Sequence, residues 1–258
     1  MTVQLDNTRR RMVLDDAALA VGCLLAVEPD HDALSRPGAA EPRAALQAAG
    51  ALQDGRPLDW ITELLEVVAR PDFRARVEVR TRGQLIVTTA AWGHGERFVL
   101  GLLADGGTEL SALEPLHLPW IVTREVGLRD YPQPEPSDPL TVGVKEIERA
   151  ERALHAGDEE EAASALGEHA DALPLLRDRI CSWRFSLTSN EAGHEANTRS
   201  LAALDAGPHG LFTTEAVALD DGSPGVRLQP TETDAAVDAL VSLFDPQHAP
   251  TPALGQPR

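Results

Sequence analysis

Histidines and carboxylates are the first residues to weigh, because most hydrolytic and metal chemistry needs them. Gly93-His94-Gly95-Glu96 sets an imidazole and a carboxylate in a glycine-flanked turn, and Gly193-His194-Glu195 repeats the theme a hundred residues on. Were the two turns to approach, His94, His194, Glu96 and Glu195 would supply a four-ligand metal set or a general-base pocket. Each turn alone holds one histidine, which is also the ordinary composition of a solvated loop. Glu168-His169 lacks a histidine four residues on, so the metalloprotease spacing is missing. The acids Asp158 to Glu161 stand at a helix start, where the dipole favours negative charge, and they read as a cap rather than a cation site. Ser182, Ser186 and Ser189 have no nucleophile-elbow context. Gly106-Gly107 is followed by neither the lysine nor the helix start that a phosphate loop needs. Cys23 and Cys181 are isolated thiols with no CxxC, which fits a reducing compartment. The residues therefore point away from an enzyme, with no metal and no cofactor expected.

The remaining chemistry is apolar. Trp92, Trp183 and Phe185 fall at strand positions, where aromatic residues either fill a core or face outward as anchors for a hydrophobic partner. The candidates for such a surface, chosen by strand and turn position, are Trp92, Phe98, Leu100, Trp183 and Phe212.

Charge narrows the partner class. The net charge is −18, which excludes a phosphate-binding surface for nucleic acid and disfavours an anionic membrane. It is uneven: residues 1–130 carry −5 and residues 131–258 carry −13. Arg9-Arg10-Arg11 ahead of an apolar run resembles a secretion signal superficially, but Asp15 and Asp16 interrupt it. A cytoplasmic location is the expectation.

The elements that must position these residues follow from periodicity. A polar, frayed tail is expected over 1–11. Met12 to Leu14 reads as a strand and Ala17 to Val27 as a helix capped by Asp15. Residues 29–42 read as a loop and Arg43 to Leu52 as a short helix. A helix follows with the stripe Ile61, Leu64, Leu65 and Val68, ended by Arg70-Pro71. Strands are expected over Arg76 to Thr81, Leu85 to Trp92, Arg97 to Ala104 and Glu109 to Leu113, with Asp105-Gly106 as a hairpin turn, then a helix over Leu118 to Leu128. Four prolines in residues 130–139 predict an extended linker. Asp138 and Pro139 predict a helix start, and Gly157 and Asp158 close one helix and cap the next, an acidic helical hairpin. Strands then return over Cys181 to Thr188, Ser200 to Ala206, Leu211 to Leu219 and Val226 to Leu228. A final helix capped by Thr231 carries Ala235, Val237, Leu240, Val241 and Phe244, and residues 245–258 form a Pro-rich, disordered tail.

Asp105-Gly106 matches Asp221-Gly222 at an offset of 116, and Pro115 matches Pro230 at 115. The expectation is an α+β, pseudo-two-fold fold: two helix–four-strand–helix halves over 12–129 and 140–244, with antiparallel strands and an inserted helical hairpin, together one compact domain.

Several of these landmarks run together: Met12 to Val27, Leu46-x-x-x-Gly50-x-Leu52, Leu64-Leu65, Ala69-Arg70-Pro71, the Asp-Gly hairpin, Gly210-Leu211, Asp221-Gly222, Pro230 and the last amphipathic helix. As a set, over residues 12–244, they resemble the EspG family of ESX, or type VII, secretion-associated proteins. The resemblance implies a cytosolic chaperone that binds the hydrophobic tip of a PPE protein in its PE–PPE heterodimer, through the central sheet and the C-terminal helical region. It carries no catalytic residues. It implies a secreted helical partner, PE/PPE-like or WXG-like, and a monomeric or homodimeric chaperone. An enzyme using the His94 and His194 turns, and an immunity or regulatory binding module, are the alternatives.

Overall fold

The computed structural model describes residues 2–81, 84–114, 117–189 and 197–244. The expected tail at the N-terminus is a strand instead. β1 (Val3–Asp6) folds back antiparallel on β2 (Arg11–Leu14), from Val3 opposite Leu14 to Asp6 opposite Arg11. Val3 and Leu5 explain it: they alternate with polar residues and pack against the first core. The capping expectation holds for α1 (Asp16–Val27). Asp15 accepts from the Ala18 N–H at 2.9 Å and from the Thr2 N–H at 2.6 Å. The expected loop over 29–42 contains a 3-10 turn at Asp32–Ser35 and the first half of α2 (Pro37–Ala48). Pro37 at the first helical position starts α2 rather than breaking it.

The chain forms two compact units. The first comprises Met1–Val77, Val87–Val122 and Ser186–Thr198; the second comprises Glu78–Ile86, Thr123–Phe185 and Arg199–Arg258. The expected division at the Pro-rich stretch thus falls earlier, and each unit includes a segment from the other half of the sequence. In the first unit, the small hairpin β3 (Leu52–Gln53) and β4 (Arg56–Pro57) leads into α3 (Asp59–Ala69), which buries Ile61, Leu64, Leu65 and Val67. Four long strands follow: β5 (Phe73–Thr81), β6 (Gln84–His94), β7 (Arg97–Ala104) and β8 (Gly107–Ala112), then α4 (Leu118–Glu125). The neighbour order is β1-β2-β8-β7-β6-β5. Gly106 takes the left-handed turn at φ 86°, and a Cβ on Gly107 would sit 2.1 Å from the Leu14 carbonyl, so only glycine lets β8 close on β2.

The second unit opens with a correction. Residues 140–143 are a strand, β9 (Leu140–Gly143), and not the start of a helix at Asp138-Pro139. Leu140 and Val142 alternate and pair with Leu228 and Val226 of the edge below, which outweighs the capping signal. The helix α5 (Val144–Ala156) starts only after Gly143 and ends on Gly157 at φ 80°. Asp158 caps α6 (Glu159–Leu166) by accepting from the Glu161 N–H, as expected, and α7 (Ala172–Arg177) completes the helical layer. The strands β10 (Cys181–Ser189), β11 (Asn197–Asp205), β12 (Leu211–Ala218) and β13 (Pro224–Thr231) run in the order β10-β11-β12-β13-β9. Thr231 belongs to β13 rather than capping the last helix, α8 (Thr233–Ser242).

The Pro-rich stretch is not a free spacer. The Glu135 N–H donates to the His209 carbonyl at 3.0 Å, and the Thr233 hydroxyl donates to the Arg129 carbonyl at 2.8 Å. A Cβ on Gly210, at φ 99°, would lie 2.8 Å from the Pro134 Cα, so the strap crosses β12's entrance at glycine distance. Among the described residues no helix is long and apolar enough to cross a membrane. The His194 turn, Pro115 and the tail 245–258 lie outside the described residues.

Candidate functional site

The second unit's sheet has a mainly aliphatic face under its helices. The registers put Leu204 opposite Phe212, Thr214 opposite Leu228, and Val226 opposite Val142, so these side chains share one face. Leu175 of α7 packs on part of it with Leu204, Phe212 and Leu228. Beside that contact the helices and sheet leave an open cavity of about 360 Å³. Its apolar lining includes Val142, Ile147, Ala172, Leu176, Leu204, Val226 and Leu228, with Leu85 beside it at 53% exposure. Its polar lining includes Glu78, Arg80, Glu151, Arg179 and Arg184. Arg179, largely buried, pairs with Glu151 of α5. Arg80 and Arg184 are exposed and have no ion-pair partner among the described residues.

A buried carboxylate fixes the strand ends next to this cavity. Asp205, 3% exposed, accepts from the Gly207 N–H at 2.9 Å and from the Tyr131 hydroxyl at 3.0 Å, with Arg129 at 3.4 Å. Its backbone carbonyl accepts from the Ile180 N–H, which sets the start of β10 and so places Arg179, Ser182 and Arg184. Burial, with the adjacent Asp205 carboxylate, pushes the Tyr131 phenol well above its usual range, so it remains a donor. Nearby, the Arg177 guanidinium and the His209 ring hold the Asp178 carboxyl far below the usual carboxylate range.

The five residues expected on an exposed binding face do not form one. Leu100, Trp183 and Phe212 are buried, only 7%, 2% and 0% exposed, which corrects the expectation that they stand outward. Phe212 belongs to the core under α7. Trp92 and Phe98 are half-buried. Trp92 pairs with Val99 and packs on the first core, whereas Phe98 pairs with Gly93 and lies against Phe73, ring centres 5.2 Å apart. Their cross-strand pairs are adjacent, so they face opposite sides of the sheet. Of the five, only Trp183 lines the cavity, and its indole N–H is buried without an acceptor among the described residues. The residues missed are Leu85, Ile147, Leu176, Arg80 and Arg184. Periodicity marks Ile147 as one stripe of α5, but no local pattern says that part of that stripe stays uncovered.

The His94 turn is held by one carboxylate. His94 Nδ1 lies 3.2 Å from Asp72, whose other role is to accept from the Gly95 N–H at 2.7 Å. That bond and the His94 ring lower the Asp72 pKa. The shallow cleft beside it is lined by Arg70 and Arg97, each paired with a glutamate, Glu28 and Glu66. Among the described residues no group of three or more His, Cys, Asp or Glu could hold a metal ion.

No protein-family model matches the sequence, and no curated protein matches it. The fold, however, is known from solved structures. The chain is similar to EspG5 of Mycobacterium tuberculosis, solved in complex with a PE25–PPE41 dimer. The match covers 90% of this chain and 94% of that one with a TM-score of 0.58, at 12% identity. The resemblance read from the sequence is thus borne out as a shared α+β fold.

Proposed function

We propose that this chain is a cytoplasmic chaperone of a type VII secretion system. It binds the hydrophobic tip of a helical PE/PPE-like substrate and keeps that tip out of water until export. The observation that carries this reading is the likeness to EspG5 along nearly the whole of both chains. The open apolar cavity on the sheet face supports it, because a shielding protein needs uncovered aliphatic surface of its own. The docking surface is that cavity and the exposed Leu85 beside it, in place of the buried aromatics. The high negative charge keeps the loaded complex dispersed.

The pseudo-two-fold reading belongs with this proposal. A short strand and a helix, β2–α1 and β9–α5, open each half; a four-strand meander and a helix close it. The neighbour orders β2-β8-β7-β6-β5 and β9-β13-β12-β11-β10 repeat the same connectivity. Duplication of one ancestral half accounts for both.

Co-expression with PE–PPE-type heterodimers tests the function. The heterodimer is expected to aggregate alone and to co-purify, soluble, with the chain. A panel of such heterodimers that remains equally insoluble with and without the chain would overturn the reading.

A further inference from the structure

The cavity has a feature that shielding alone does not need. In a chain of net charge −18, an arginine normally finds a carboxylate close by, as Arg179 does with Glu151. Arg80 and Arg184 border the same apolar lining, are exposed, and find none among the described residues. Arg184 and Ser182, both at the cavity, alternate along β10 with the buried Trp183 and Phe185, which leaves the guanidinium exposed. Among the described residues of the lining, two acids, Glu78 and Glu151, face three arginines, an excess of one positive charge inside a strongly negative molecule. A guanidinium presents a planar donor fork that matches a carboxylate, and the low-dielectric apolar wall beside it strengthens such a pair.

We infer that this cavity recognises an amphipathic helix carrying an acidic residue one turn from its aliphatic anchor, with Arg80 and Arg184 receiving the carboxylate. The inference rests on the chaperone reading for its biological occupant and deepens it, naming the cargo's chemistry. The aliphatic anchor enters between Ile147, Leu176 and Val226; the carboxylate stays at the mouth. Cargo tips that are apolar but neutral or basic are thereby discriminated against, because the arginines would be covered without compensation.

The probe is a set of fluorescein-labelled helical peptides sharing one leucine face and differing only at the flanking position, Glu, Gln or Lys. The full-length chain is expected to bind the Glu peptide about tenfold more tightly than the Gln peptide, and the Lys peptide least. The double variant Arg80→Ala and Arg184→Ala should bind all three alike, at the Gln level, and lose the salt sensitivity of the Glu peptide. Both side chains are exposed, so circular dichroism and thermal melting should match the parent. Equal binding of the Glu and Gln peptides by the parent chain, or an unchanged Glu preference in the double variant, would overturn the inference. Failure of the chaperone reading looks different: no PE–PPE-type heterodimer is captured, whatever the peptides do.

Discussion

Asp205 shows how a single residue organises the neighbourhood of the cavity. This buried carboxylate receives the Pro-rich strap, through the Tyr131 hydroxyl, and the turn after β11, through the Gly207 N–H. Removing it strands both donors, so Asp205→Ala is expected to lower stability by about 2–3 kcal/mol, and Tyr131→Phe by about 1 kcal/mol, in urea unfolding. Asp178 gives a pH test. Its folded pKa is depressed by the Arg177 guanidinium first and the His209 ring second. A depressed carboxyl contributes stability that is complete above the unfolded value, about 3.9, and is lost as pH falls through the folded value. The urea midpoint should therefore decline from about pH 4 downward, and less steeply in Asp178→Asn. None of these contacts was legible in the sequence: Asp205 and Tyr131 are 74 residues apart, and nothing local marks either as a partner.

At the scale of elements, local signals read correctly wherever backbone chemistry decides. Asp15 caps α1 with two accepted hydrogen bonds, so Asp15→Ala should cost about 1 kcal/mol. Gly157 has φ 80° with open space around its Cβ position, so Gly157→Ala should cost about 1 kcal/mol from backbone strain alone. Thermal melting of both variants checks these values; no shift at Gly157 would mean that the α5–α6 turn relaxes to another conformation. The misread elements are those that long-range pairing decides. Asp138-Pro139 is a sound helix start, yet β9 forms because Leu140 and Val142 complete the edge of β13. β1 is too polar to be noticed until β2 lies beside it. Burial failed for the same reason: strand periodicity places Trp183 and Phe212 on faces but cannot say which faces the helices cover.

Across the whole molecule, the α+β class and the likeness to secretion chaperones were both legible, from element order and turn landmarks rather than from any reactive motif. The location of the cavity was not, because it is set by what α5 and α7 leave uncovered. Under the proposed function the charge imbalance has a physical role: the acidic exterior disperses a cargo complex, and the locally positive cavity mouth selects the cargo. Hydrogen–deuterium exchange on the chain with and without a captured PE–PPE-type heterodimer would locate the bound surface. Protection is expected for peptides from the start of β6, α5, α7 and the start of β10, which line the cavity, with no change around the His94 turn. Protection confined to the His94 turn and α3, with the cavity peptides exchanging freely in the complex, would contradict it.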